Sequence, residues 1–325
     1  MRRFTQIIVA FCLCTAFPCA VAAPPLGLEA TIALPNTAGR IDHLDIDLAR
    51  NRLFVVELGN GSVDIVNLKT RSVIHRIAGL DEPQGVVYVP QADLLVVACG
   101  GDGAVRMFGG VNYEPRGVVK LGDDADNARL DPRNGTVVVG YGSGGLAIID
   151  PVKMIKIRDV SLPGHPEAFQ LSGDRAYVNV PDTGQIVVVD IDMGKTAAKW
   201  TTSNLSSNFP MALAKGVVAV AFRSPARLVL FDPKDGRILN TVDTCGDADD
   251  VFLDAKRQRY IVSCGAGAVD LFQFSKAKLT RLARMPTSWG ARTSLFVPEL
   301  DRLFVAERAG FFGSNATIQA YRPAE

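Results

Sequence analysis

A segment that recurs about every 40 residues from Arg40 onward constrains this chain more than any single residue, because a period of that size reports architecture directly. One copy reads LFVVELGNGSVDIVNLKTRSVIHRI, from Leu53 to Ile77. Others are LLVVACGGDGAVRMF (Leu94 to Phe108), TVVVGYGSGGLAIID (Thr136 to Asp150), RAYVNVPDTGQIVVVDIDMGK (Arg175 to Lys195), VVAVAFRSPARLVLFDPKDGR (Val217 to Arg237), RYIVSCGAGAVDLF (Arg259 to Phe272) and RLFVAERAGFFGSNATIQAY (Arg302 to Tyr321). Each is a short aliphatic run, a turn rich in Gly, Asn or Asp, and a second run, which is the pattern of strand, turn, strand.

Aligned on these runs, the chain divides into seven units at approximately 40–77, 79–121, 122–162, 163–202, 203–243, 244–286 and 287–323. Each supplies an inner strand, such as His43 to Asp47 in the first, then the two aliphatic strands and usually a fourth. The seventh unit stops after Ile318 to Tyr321 and has no fourth strand, whereas Leu28 to Leu34 (LEATIAL) alternates like a strand and precedes the first unit. Pairing LEATIAL with the last unit removes the open edge that an incomplete ring would expose. The expected fold is therefore all-β, a single seven-bladed β-propeller over residues 28–323, with four-stranded antiparallel blades and the last blade closed by strand 28–34.

The units resemble the YVTN family of propeller repeats. Tyr177-Val178-Asn179-Val180 followed by Gln185 to Asp190, and Leu53 to Val56 followed by Ser62 to Leu68, carry the resemblance, which extends over nearly the whole chain after the leader. It implies an exported bacterial propeller and says little about chemistry, since similar proteins include binding proteins and some enzymes. No Trp-Asp pair ends a strand, which disfavours the WD40 type.

Arg2 and Arg3, the apolar run from Ile7 to Phe17 and the small residues Ala20 to Ala23 are the three parts of a secretory signal peptide, expected over residues 1–22. The run is too short for a permanent span, and no later segment has the apolar length of a membrane helix. A periplasmic or secreted location is expected. With 35 basic against 34 acidic residues, little net field remains to attract nucleic acid. After the leader the cysteines are Cys99, Cys245 and Cys264. In an oxidising compartment Cys245 and Cys264, which share a unit, are the expected pair, and three buried thiols are the alternative.

Candidate chemistry sits where the inner strands begin and where the second strands end, because both lie on the face around the mouth of the central channel. The inner strands begin with Asp42-His43, Pro83-Gln84, Asp126-Asn127, Glu167-Ala168, Phe209-Pro210, Asp249-Asp250 and Arg292-Thr293. Asp124-Ala125-Asp126-Asn127 and Asp247-Ala248-Asp249-Asp250 are near duplicates in units three and six. Carboxylates converging on a narrow mouth repel one another unless a cation or cationic ligand is present. His43, Asp126, Glu167 and Asp250 form a candidate metal set of mixed N and O donors, suited to calcium or magnesium where oxygen dominates and to a transition metal where His43 binds. The structural alternative is that these acids accept backbone N–H bonds in turns. Asp42, Asn127, Asp249, Arg292 and Trp289, with Glu57, Tyr141, Arg223 and Glu307 from the second-strand ends, are the candidate ligand-binding set.

Two functions compete. One is a noncatalytic exported propeller that binds a small polar molecule or a protein partner at the channel-mouth face. The other is a metal-dependent lactone or ester hydrolase, or a lyase, in which His43 or His165 moves a proton. The Gly-rich stretches Gly140 to Gly145 and Cys99 to Gly103 each join two strands, so they lack the helix N-terminus that cradles phosphate. No C-x-x-C, C-x-x-C-H or H-E-x-x-H motif is present.

Overall fold

The aliphatic runs form the second and third strands of seven four-stranded antiparallel sheets. These sheets span residues 44–78, 83–120, 125–161, 169–201, 206–243, 248–286, and 294–323 together with 26–34. The computed structural model describes residues 24–214, 216–310 and 315–325, so the expected signal peptide lies outside the described residues. Each inner strand contacts the inner strand of the next blade, and the last contacts the first, which closes the ring.

Burial explains the sequence pattern. Neighbouring blades cover both faces of the middle strands, so Leu53 to Glu57 are all buried and the strand reads as continuous rather than alternating. Outer strands face solvent: in Ile155 to Ser161 only Val160 is buried. In each of the first six blades the third-to-fourth strand pairing slips once, for example at Ile65/Val66 and Val188/Val189, and the added twist of such bulges helps the blades splay around an axis.

The seventh blade is completed by Leu26 to Leu34, which runs antiparallel to Ala316 to Pro323 with Ile32 opposite Ile318. Leu26, Ile32 and Leu34 are buried, and each such side chain contributes about 1.5–3 kcal/mol of hydrophobic stabilisation. Glu29 pairs with Arg302 at 2.7 Å and with Arg322.

At the end of the channel away from the mouth, a polar device recurs. Asp47 holds Arg50 at 2.9 Å, and Arg50 reaches Asp93 of the next blade. Asp131 and Arg133 repeat it onto Asp192, and Asp254 and Arg257 onto Asp301. Cys245 and Cys264 form a disulfide within the sixth blade, and Cys99 is a buried free thiol. Among the described residues no helix is long and apolar enough to cross a membrane.

Candidate functional site at the channel mouth

Backbone irregularity aims the mouth residues. In blades two, three, five and six the inner strand slips register as it starts, at Pro83/Val86, Ala125/Ala128, Asn208/Met211 and Ala248/Asp250. The slipped residues include Gln84, Asp126, Asn127, Phe209 and Asp249, and a bulge of this kind re-aims side chains that a regular strand would alternate. Space is short here: a Cβ on Gly85 would lie 2.1 Å from the Asp126 carbonyl oxygen, so the second blade needs glycine where it passes the third.

Arg40, Asp42, His43, Asp126, Asn127, Glu167, Asp249 and Asp250 line a notch of about 30 Å³ at the mouth. That holds one water or one small charged group. Most of the charge around it is internally paired. Asp42 lies 2.9 Å from Arg40 Nη2 and 3.2 Å from His43 Nδ1. Arg223 crosses from blade five to bond Asp249 and the Ala248 carbonyl, with its guanidinium 3.9 Å from the centre of the Phe209 ring. Arg292 takes the other Asp249 oxygen at 3.0 Å and Asp247 at 3.1 Å. Asp250 accepts the Ser294 N–H at 2.6 Å. His165 Nδ1 lies 2.7 Å from the Gly142 carbonyl oxygen, and its Nε2 lies 3.9 Å from Asp126.

Glu167 differs from its neighbours. Among the described residues its carboxylate has no hydrogen bond or ion pair, although it lines the notch. Burial, with the Asp126 charge beside it, pushes its pKa up to about 7. Burial likewise pushes Asp250 up to about 8 and raises Asp249, against the pull of Arg292 and Arg223. Burial alone would lower His43, yet its bond to Asp42 and the nearby charges of Asp42 and Asp126 raise it to about 9. His165 is also raised to about 9, first by Asp126 and against its own burial.

The structure thus brings together at the mouth Asp42, His43, Asp126, Asn127, His165, Glu167, Arg223, Asp249, Asp250 and Arg292. Three candidates point elsewhere. Glu57 is buried among Thr37, Asn60 and Ser62. Tyr141 bonds Asp159 on the outer strand of its blade at 2.6 Å. Glu307 bonds Gln319 at 3.1 Å. Trp289 is 74% exposed and lies on the rim. His43, Asp126, Glu167 and Asp250 share the notch, but among the described residues no three His, Cys, Asp or Glu side chains are placed to hold a metal ion. Two channel residues escape a reading based on strand ends: Asp45 and Arg129 sit one or two positions further along inner strands.

Fold and site define a seven-bladed β-propeller with a charged, largely self-paired channel mouth. No protein-family model and no curated protein matches the sequence. Among solved structures, the chain is similar to one from Kuenenia stuttgartiensis hydrazine synthase, with a TM-score of 0.74 and 16% identity over 85% of this chain and 94% of that one. It is also similar to a chain of a mitotic checkpoint complex, with a TM-score of 0.79 and 14% identity over 99% of this chain and all of that one. Likeness at these identities shows the propeller fold and not the activity.

Proposed function

We propose that the protein is an exported propeller of the YVTN type that binds a partner through the channel-mouth face, with the notch accepting a cationic group such as a lysine side chain. The observation that carries this reading is Glu167: a carboxylate that lines the notch with no hydrogen bond or ion pair among the described residues, beside Asp126 and Asp249. The notch is too small for a metabolite, and it has the size of an ammonium head. Self-paired arginines around it supply a rigid polar rim, which suits recognition of a preformed surface.

A metal-dependent hydrolase or lyase is the second reading, favoured by the convergence of His43, Asp126, Glu167 and Asp250 on one notch. One experiment separates the two. The protein without its leader is titrated with N-acetyl-lysine amide, and elemental analysis and thermal shift are run with calcium, magnesium, manganese and zinc. Saturable binding of the ammonium compound that is stronger at pH 8 than at pH 5.5 and lost in Glu167→Gln supports the binding reading. A stoichiometric ion, or a rise in Tm specific to one metal, would replace it with the second.

A further inference from the structure

Beyond the notch the channel holds a second, larger space. A cavity of about 320 Å³ lies on the other side of His43 and Asp250, which line both. That volume is at the lower end for small-molecule sites. Its wall is formed by the middles of the inner strands and includes Leu44, Val86, Leu130, Phe252 and Leu295. Its main cation is Arg129.

The bonding of Arg129 is incomplete. One Nη donates to the carbonyl of Ala128 at 2.8 Å and the other to Asn127 Oδ1 at 3.2 Å. A guanidinium has five N–H donors, and the others have no acceptor among the described residues. No carboxylate there lies within ion-pair distance of it. Three acids are near enough to act on its charge, and each is committed elsewhere: Asp45 accepts the Tyr88 N–H at 2.6 Å, Asp250 accepts the Ser294 N–H at 2.6 Å and Asp126 accepts from Asn127 Nδ2 at 3.3 Å. The guanidinium lines the cavity, with its carbon 5.7 Å from the centre of the Phe169 ring. Three arginines at the mouth have a carboxylate partner instead: Arg40 has Asp42, Arg223 has Asp249 and Arg292 has Asp247.

We propose that this cavity binds a small organic carboxylate, with Arg129 holding the carboxylate group and the apolar inner-strand side chains covering the hydrocarbon part. A planar guanidinium with N–H groups to spare suits a carboxylate, and the aliphatic wall gives the rest of the ligand a place that inorganic anions do not use. Burial raises Asp45 to about 6 and Asp250 to about 8. At neutral pH Asp250 is mainly protonated, so less negative charge opposes an anion than two aspartates would suggest. The cavity shares only His43 and Asp250 with the notch, and Arg129, on which this proposal rests, does not line the notch.

The test is calorimetric titration of the leaderless protein at pH 6.5 with benzoate and with butyrate, using benzamide and inorganic phosphate as controls. Saturable carboxylate binding is expected, with affinity falling about tenfold or more in Arg129→Gln, the loss of one charge-assisted bidentate contact. Arg129→Lys keeps the charge but not the fork, so it also weakens binding, and it decides the matter should the glutamine variant fail to fold. Asp45→Asn should tighten binding. The proposal is overturned by absence of saturable binding, by benzamide binding as well as benzoate, by phosphate binding as well as either carboxylate, or by folded Arg129 variants that bind like the parent.

Discussion

Arg50 in the first blade grips Asp93 in the second through two parallel N–H···O bonds of 2.8 Å. The same Arg50 is braced by Asp47 and by the Tyr88 hydroxyl, so one side chain couples two blades at the end of the channel opposite the mouth. The equivalent Arg257 is more deeply placed, with its side chain 4% exposed against 32% for Arg50. Removing Arg50 as Arg50→Ala should cost about 1 kcal/mol, as for a partly solvated network. Arg257→Ala should cost about 3 kcal/mol or more: both variants leave a buried carboxylate, Asp47 or Asp254, but water can enter the space left by the part-exposed Arg50 and not that left by Arg257. Urea midpoints measure both, and equal costs would refute the burial argument.

Between pH 5 and pH 9.5 stability should fall as pH rises. A carboxyl whose folded pKa exceeds its unfolded value takes up a proton on folding, so stability is greatest below the unfolded value and declines up to the folded one. That window runs from 4.5 to about 7 for Glu167, from 3.8 to about 8 for Asp250, and from 3.8 to about 6 for Asp45. His43 and His165, raised from 6.5 to about 9, act in the same direction: their contribution is complete below 6.5 and lost as pH passes 9. Urea midpoints between pH 5 and pH 9.5 should therefore decrease, and Asp250→Asn should flatten the slope above pH 5. A stability maximum near pH 8 would contradict this account of the channel.

The closing strand contributes through both faces, Leu26 packing towards the sixth blade and Ile32 and Leu34 towards the first, with a bulge between Leu28 and Ala30. Leu34 is fully buried and Leu28 is 56% exposed on the same strand. Leu34→Ala should cost about 2–5 kcal/mol, as a buried leucine truncation does. Leu28→Ala should change stability by less than about 0.5 kcal/mol. Chemical denaturation distinguishes the two directly.

Thiol chemistry should divide the cysteines. Cys99 is buried, and burial lifts its thiol to about 11. The native protein should therefore resist a thiol reagent at pH 8, and Cys99 should react once denatured. Replacing Cys245 and Cys264 together by Ala opens a link between residues 19 apart, at a cost of about 3 kcal/mol in the chain-entropy view. Rapid native labelling of Cys99 would show that the second blade opens far more readily than its packing implies.

The ring and its closure were legible because each blade repeats the same burial problem and therefore the same residue pattern. The inner-strand beginnings were legible too: Asp42, Asp126, Glu167 and Asp249 do meet at one mouth. The second-strand ends were harder. Glu57 and Glu307 end equivalent strands and both bond within their own blades, to Ser62 and Gln319 on the third strands. Arg223 ends the same strand in blade five yet reaches the mouth, since its length carries it across to blade six. Arg129 and Asp45 went unread for a different reason. Within a strand their alternation looks like ordinary solvent exposure, and only closure of the ring turns that exposed side into a channel lining.

Pairing Leu26 with Pro323 also sets an order of events in time. A chain made from its N-terminus presents the first strand of the propeller long before its partner exists, and this strand then waits as an unpaired edge through the synthesis of every blade. Glu29 meets Arg302 and Arg322 only when the final segment arrives. A polypeptide released before Ala316 to Pro323 would leave Leu26 to Leu34 without its partner and the ring without its seventh blade's outer strand.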